Sequence, residues 1–451
     1  LFKFQISNDI QVRLDGMPKE LYNILTGALL LDNPDYKKAV KYGFSAKNIP
    51  ETIKLYKLTN ETLTVPRGMA KGIIRYLTKK QTRYEMQDLR LLLPEVSFKS
   101  EIKLRDYQES AVSRILENTQ GFLVSPCGSG KTVMMIEMMA RIRQPTLFIV
   151  HQKELMDQII VAAVNLTDLT KEEIGVLGSG KRTVGERMTV ATIQTLNKLN
   201  LEEYIDKFGA VFIDEAHHLA AKSFYEVISK FKGCYRFAVS ATPERGDGLT
   251  QMVYACTGGI IHEIEQNQVP TIIPLLKSVK TAFTSQLNEH SQIVKKLISD
   301  KARNQLIVDH IKREAAGNYS LVLSDRVEHL NTLKNLLVKQ LPGMTIEILT
   351  GDLPKAKRKE LMEKAKAKQI DILLATQLAR EGLDIPHLNR LFLTYPKKSQ
   401  ASVQQEVGRI MRPCEGKKNA IVYDFIDQNG ILYSQFTKRR AVYRKIGIKT
   451  G

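Results

Sequence analysis

Tryptophan is absent from the 451 residues of this chain, and aromatic residues make up only 7% of it. A protein that holds unpaired bases by stacking needs exposed rings. The scarcity argues against a base-stacking single-strand binder and leaves phosphate-backbone contacts as the expected mode for any nucleic-acid partner. Only four cysteines occur, Cys127, Cys234, Cys256 and Cys414, and no C-x-x-C spacing links them. That pattern indicates neither a zinc site nor a disulfide framework. No apolar run approaches the roughly 18 residues that span a bilayer, so no membrane partner is expected. The first residues, Leu-Phe-Lys-Phe, lack a secretory pattern, and the expected place is the cytoplasm. Acid is also in short supply, with 48 Asp and Glu against 67 Lys and Arg, a formal net charge of +19. Such a surplus favours a polyanionic partner, nucleic acid first.

What is present is an ordinary globular balance, 43% hydrophobic and 25% charged, in a length that suggests roughly three domains. Apolar β-rich runs alternate with helical stretches, the pattern of an α/β protein with parallel sheets. The expected strands are Thr146–Val150, Met188–Ala191, Ala210–Ile213 and Phe237–Ser240, then Ser320–Leu323, Thr345–Leu349, Asp371–Leu374, Arg390–Leu393 and Ala420–Tyr423. A Gly/Pro-punctuated stretch near 257–275 interrupts the rhythm and reads as a linker between two α/β units. The first hundred residues mix short strands with short helices and read as a small α+β domain. The expected division is therefore 1–100, 101–265 and 266–451.

The most informative segment is Ser125-Pro-Cys-Gly-Ser-Gly-Lys-Thr132, which follows the apolar run 121–124 and precedes a helical run. A phosphate needs several backbone N–H groups aimed at one point, and a helix N-terminus behind glycines supplies them. Pro126, Cys127, Gly128, Ser129 and Gly130 would form the cradle. Lys131 would reach the β- and γ-phosphates of ATP, and the Thr132 hydroxyl would hold Mg²⁺. Ser stands at 125, where the G-x-x-x-x-G-K-[ST] pattern has its first glycine.

Val211-Phe-Ile-Asp214-Glu215-Ala-His217 is an apolar strand ending in two acids. Asp214 would bind the Mg²⁺ and Glu215 would orient and deprotonate the attacking water. His217 could link these acids to Gln405 or Ser240. Ser240-Ala-Thr242-Pro follows the next strand, where Ser240 and Thr242 could couple the acids to domain movement. Gln108, in Leu104-Arg105-Asp-Tyr107-Gln108, carries the donor and acceptor that an adenine edge requires. Further on, Gln404-Gln405-Glu-Val-Gly-Arg409-Ile-Met-Arg412 places two arginines three apart, hence on one face of a helix, suited to transition-state charge. The methionines at 134, 135, 138 and 139 have helical spacing and read as core packing.

In that order, L-R-D-Y-Q, G-S-G-K-T, D-E-A-H, S-A-T-P, A-T-Q-L-A-R-E-G-L-D and Q-x-x-G-R-x-x-R resemble the motifs of a superfamily 2 helicase, over about residues 101–430. The wording around Thr242-Pro-Glu-Arg245-Gly-Asp247, around Ser324-Asp-Arg326-Val-Glu-His329, and at Thr350-Gly351 is similar to the XPB-like and phage UvsW-like DNA helicases. The resemblance implies two RecA-like lobes with ATP between them. It puts Arg105, Gln108, Gly382 and Asp384 at the nucleotide, and Arg409 and Arg412 in the site from the second lobe, with Arg412 as the arginine finger. Thr376 and Arg245 would contact or lie near the DNA. The implied function is ATP-dependent remodelling of duplex, forked or four-way DNA in recombination, repair or replication, in the host cytoplasm if the chain is phage-encoded. An RNA helicase and an ATP-gated clamp without turnover stay open. A monomer is possible, and no protein partner is indicated.

Two basic segments lie at the margins of these motifs. Residues 1–100 carry 17 Lys and Arg against 10 Asp and Glu, and Arg67, Lys71, Arg75 and Lys79 recur every four residues. Such a helix would present cations along one drifting side, and the segment is expected to grip duplex DNA. Lys438-Arg-Arg440 to Lys449 reads as a basic helical tail.

Overall fold

The structure, a computed structural model, describes residues 1–126, 128–215, 221–241, 248–376, 385–397 and 399–450. Cys127, His217, Thr242, Arg245, Gly382 and Asp384 therefore lie outside the described residues. The chain divides into two compact units, Leu1–Gln268 and Val269–Gly451.

In the first unit an eight-stranded sheet runs in the order Lys181–Arg182, Gly175–Gly178, Met188–Thr192, Thr146–Val150, Ala210–Asp214, Tyr235–Ser240, Gln120–Val124, Ile260–Glu263. Every pairing is parallel except the first. Strands 146–150, 188–192 and 210–214 are buried at every position, which is why they read as unbroken apolar runs without alternation. Ile260–Glu263 closes the sheet edge against Gln120–Val124, so part of the expected linker is strand. The methionines at 134, 135, 138 and 139 are fully buried in the helix Lys131–Ile142.

The second unit holds a seven-stranded, all-parallel sheet, ordered Ile346–Leu349, Ile372–Ala375, Ser320–Leu323, Arg390–Leu393, Ile421–Gln428, Leu275–Thr284, Lys449–Thr450. The C-terminal basic segment is not a free tail. It is the helix Gly430–Lys445, and the chain then returns to pair Lys449 and Thr450 with Leu275 and Leu276. Both large sheets are parallel in their central strands and sit in α/β units, as in two RecA-like lobes.

Residues 1–88 form a separate five-stranded sheet, in which Phe2–Ile6 pairs antiparallel with Asp9–Arg13 and parallel with Tyr84–Asp88. Its core, with Phe2, Phe4, Ile10, Leu63 and Ile73, is continuous with Leu249, Met252 and Ala255 beside the eight-stranded sheet. At the seam, Gly68 is irreplaceable on space alone: a Cβ there would sit 2.1 Å from the Tyr254 carbonyl and 2.5 Å from that of Ala255.

Arg67 corrects the expectation of a cationic stripe. It lies in a short 3₁₀ turn, Arg67–Met69, ahead of the helix Ala70–Lys79, and is completely buried. Its Nε donates to Gln120 Oε1 at 2.7 Å, one terminal nitrogen to the Gly233 carbonyl at 2.6 Å and the other to that of Cys234 at 3.3 Å. Gln120 Nε2 returns a bond to the Arg67 carbonyl at 2.9 Å. Burial, then the nearby Arg236 and Arg90, push this guanidinium well below its ordinary pKa. Arg67 is a pin between two sheets, with nothing left to offer a phosphate. Lys71 and Arg75 remain exposed on the following helix.

Candidate active site

Four loops meet at the C-terminal edge of the eight-stranded sheet, where a parallel sheet collects its ligands. The strand Gln120–Val124 runs into Ser125, whose N–H donates to the Ser240 carbonyl at 2.9 Å. Ser125 also explains how the loop closes without its usual first glycine. Its Oγ lies 2.5 Å from Ser129 Oγ, and Ser129 Oγ donates to the Pro126 carbonyl at 2.6 Å. Both serines are fully buried, so the curl is held by side chains from inside. Gly128 and Gly130 take positive φ values of 84° and 83°, and Gly130 caps the helix that starts at Lys131.

Gln108 fixes the same loop from outside. Its Nε2 donates to the Ser129 carbonyl at 2.7 Å and its Oε1 accepts from the Arg105 N–H at 2.9 Å. A Cβ at Gly130 would strike Gln108 Nε2 at 2.4 Å, so the glycine is required by both conformation and space. Tyr107, which sequence reasoning passed over, donates its hydroxyl to the same Ser129 carbonyl at 3.0 Å. Arg105 is exposed at the start of the helix Asp106–Leu116, which carries Tyr107 and Gln108. The donor and acceptor expected to read adenine thus also brace the phosphate loop.

Lys131 and the two acids come together as expected. Lys131 Nζ donates to Glu215 Oε1 at 2.6 Å, and Ser240 Oγ donates to Glu215 Oε2 at 3.1 Å. Glu215 sits at φ 50°, a left-handed backbone uncommon for a side chain of this kind and typical of a constrained site. Its N–H is tied to the Val239 carbonyl at 2.9 Å. Burial first, and then the Glu215 charge, push the Asp214 carboxyl above the usual carboxylate range, against the pull of Lys131 and His151. Asp214 Oδ1 is buried without a hydrogen-bond partner among the described residues. An orphaned carboxylate oxygen, with the hydroxyl of Thr132 next in sequence to Lys131, is an oxygen donor set that fits Mg²⁺. The arrangement can hold a phosphate chain and activate a water against it.

In the second unit the helix Gln400–Met411 carries Gln405 and Arg409. The geometric reason given for pairing the arginines needs correction: the helix stops at Met411, and Arg412 follows in extended backbone, φ −63° and ψ 128°. Its place is set by a residue that sequence reasoning missed. Lys417 Nζ donates to the Arg412 carbonyl at 2.9 Å and to the Pro386 carbonyl at 3.0 Å, joining the ends of two motif segments. Burial pushes the Lys417 ammonium down to about 8, with Arg412 adding to the fall and Cys414 opposing it. At the helix's other half, buried Glu406 contacts Lys397 and accepts from Ser402 Oγ at 3.0 Å. Lys397 also lies 3.5 Å from Asp325. Thr376 follows its strand as expected but is buried, its N–H on the Leu349 carbonyl at 3.3 Å. His329 is buried too, between Ser324 Oγ and Asn304 Oδ1, each at 3.0 Å. No lone signal in the sequence marks Lys417; only the turn at Gly416, φ 77°, hints that the chain folds back there.

Comparison with known proteins places these features in context. Residues 101–245 match the family model described as the type III restriction enzyme res subunit, and residues 302–414 match the helicase conserved C-terminal domain. A protein of Acanthamoeba polyphaga mimivirus, named as a putative ATP-dependent RNA helicase, is 30% identical over 365 residues, 75% of this chain and 67% of that protein. The DNA 3'-5' translocase XPB2 of Sulfurisphaera tokodaii is 23% identical over 410 residues, 82% of this chain and 92% of that protein. Among solved structures, S. cerevisiae Dbp5 bound to RNA and ADP BeF3 is similar in fold, with a TM-score of 0.58 at 17% identity, over 77% of this chain and 89% of that one.

Proposed function

The chain belongs to the superfamily 2 helicases, and from that premise we propose that it is a DNA-dependent ATPase that moves on duplex or branched DNA and remodels forks and four-way junctions, in recombination, repair or replication. The observation that carries the motor is the Lys131–Glu215–Ser240 cluster at the sheet edge, beside the orphaned Asp214 oxygen.

In this reading ATP seats its phosphates on the N–H groups of residues 128–132, and Lys131 leaves Glu215 for the β- and γ-phosphates. Released from the lysine, Glu215 Oε1 becomes the base that takes a proton from the attacking water. Ser240, which donates to the same carboxylate, registers the change and passes it to the loop that follows. Asp214 and the Thr132 hydroxyl would hold Mg²⁺, which would supply positive charge against the phosphates. Arg412, with Arg409 and Gln405, supplies the remaining charge and hydrogen bonds from the second lobe when the lobes close on ATP. Gln108 serves the adenine and the loop together. Residues 1–100 act as an accessory domain to the lobes 101–265 and 266–451, with Lys71 and Arg75 facing the duplex.

The choice of DNA is supported by the motif wording around residues 242–247 and 324–329 and by the relative named as a DNA translocase, matched over 92% of its length. RNA is the second reading, favoured by the name of the mimivirus relative. ATP turnover measured with single-stranded, duplex, forked and four-way DNA, and with duplex and single-stranded RNA, separates them. Greatest stimulation by forked or four-way DNA is the expected result. Stimulation by RNA alone would overturn the DNA reading, and no stimulation by any of them would leave a clamp without turnover.

A further inference from the structure

The C-terminal helix Gly430–Lys445 has no part in the nucleotide site, and its composition is unusual: two lysines, three arginines and no acid in sixteen residues. Its inner side is fixed in the second unit by Leu432, Phe436, Val442 and Tyr443. Arg439 points inward as well. It makes a two-point pair with Asp424 at 2.9 and 2.8 Å, while Tyr443 donates its hydroxyl to the same carboxylate at 2.7 Å. One of the five cations is therefore spent on holding the helix down.

The other four, Lys438, Arg440, Arg444 and Lys445, are all exposed and have no ion-pair partner among the described residues. At 100° per residue, Tyr433, Thr437, Arg440 and Arg444 fall along one line of the helix, with Ser434, Lys438 and Lys445 on the flank beside it. A second lysine-rich helix in the same unit shows what an ordinary solvated basic face looks like. In Lys355–Lys366, Glu360 takes Lys357 at 3.0 Å and Lys364 at 2.8 Å, and Glu363 takes Lys366 at 3.7 Å. Two glutamates there take up three of its six cations, whereas the C-terminal helix has no acid of its own to do so.

We propose that the exposed face of the helix Gly430–Lys445 is a docking surface for the phosphate backbone of duplex DNA. Arginine, lysine and the hydroxyls of Ser434 and Thr437 are the groups that contact phosphates without reading bases. A rigid helix that carries them in two rows, Thr437, Arg440 and Arg444 on one and Ser434, Lys438 and Lys445 on the other, suits a duplex. An unpaired strand would ask for several stacking rings, and this face offers Tyr433 alone. The surface rests on the DNA reading of the motor and adds to it a grip on the second lobe, outside the helicase motifs.

The test is equilibrium binding of a duplex DNA to the full chain across a salt series. It compares the wild type with a variant carrying Lys438→Gln, Arg440→Gln, Arg444→Gln and Lys445→Gln. Loss of four phosphate contacts should weaken binding by at least about tenfold near 0.1 M salt and flatten the slope of log K against log salt by roughly three to four. A double variant, Arg440→Gln with Arg444→Gln, should show about half the slope change. DNA-free ATP turnover should match the wild type in both, since neither touches the site. Unchanged affinity and slope, with wild-type duplex binding intact, overturns the surface and leaves the motor's DNA reading standing. A wild type that binds duplex RNA and not duplex DNA overturns the reading itself, and with it the commitment of this face to DNA.

Discussion

The two units use the same chemistry, a cation on a carboxylate, to opposite ends. In the first unit Lys131 and Glu215 retain 14% and 13% of their side-chain exposure at the open edge of a sheet. In the second, Arg439 and Asp424 retain 4% and none, and Arg303 and Asp427 retain 1% and 2%. The buried carboxylates are also saturated by neutral donors: Tyr443 on Asp424, and Thr281 on Asp427 at 2.7 Å. Glu215 likewise takes Ser240 on one oxygen and its lysine on the other, but at the sheet edge. Access, more than the type of pair, separates a contact that a phosphate can open from one that holds helices on a sheet.

The largest effect expected from this contrast is on stability in the second unit. Arg439→Ala or Arg303→Ala would strand a buried carboxylate, at a cost of about 3–5 kcal/mol, read as a fall in the denaturant midpoint. Lys131→Ala, by contrast, leaves Glu215 near solvent and should move that midpoint little. If the Arg variants were as stable as Lys131→Ala, the distinction between the two kinds of pair would be lost.

Next in size is the seam under the N-terminal sheet. Gly68→Ala drives a methyl into the main chain of residues 254–255, which cannot yield as a flexible side chain can, so a loss of about 1–3 kcal/mol is expected. Limited proteolysis should then cut within residues 1–100 before the rest of the first unit. Unchanged protease resistance would mean that the seam adapts.

A smaller effect is set by pH. Burial, and then the charge of Arg303, push the His329 imidazole down to about 3 from an ordinary 6.5. The folded state then binds fewer protons than the unfolded chain between those values, so this contribution is complete above pH 6.5 and is lost as pH falls toward 3. At pH 5 the loss is about 2 kcal/mol, from 1.5 pH units at about 1.4 kcal/mol each. His329→Gln, which keeps a donor toward Asn304, should lose less stability than the wild type between pH 7 and 5 in urea titrations. Equal losses would mean that other groups dominate the acid response.

Much of this was legible in the sequence because parallel strands buried on both faces are unbroken apolar runs, and because a phosphate cradle needs glycines and a Lys-Thr pair in fixed order. Strands with other patterns were not legible. Leu275–Thr284 alternates exposed and buried positions and is not among the expected strands, and Ile260–Glu263, an edge strand behind two glycines, reads as linker. The Arg67 error has a physical cause as well. Spacing of four residues predicts a shared helix face only where the helix exists, and Arg67 lies in the turn before it, where the chain dives toward Gln120. Lys417 escaped notice because its role is to bond two carbonyls, and carbonyls leave no mark in a sequence.

The central claim is that Lys131, Asp214 and Glu215 form an ATP-hydrolysing centre in which the lysine must leave the glutamate for phosphate. It is tested most directly by measuring nucleotide binding and DNA-stimulated ATP turnover side by side for the wild type, Lys131→Ala and Glu215→Gln. The account predicts that Glu215→Gln binds nucleotide at least as well as the wild type, that Lys131→Ala binds it poorly, and that both turn over at least about a hundredfold more slowly. Near-normal turnover in both variants would contradict it.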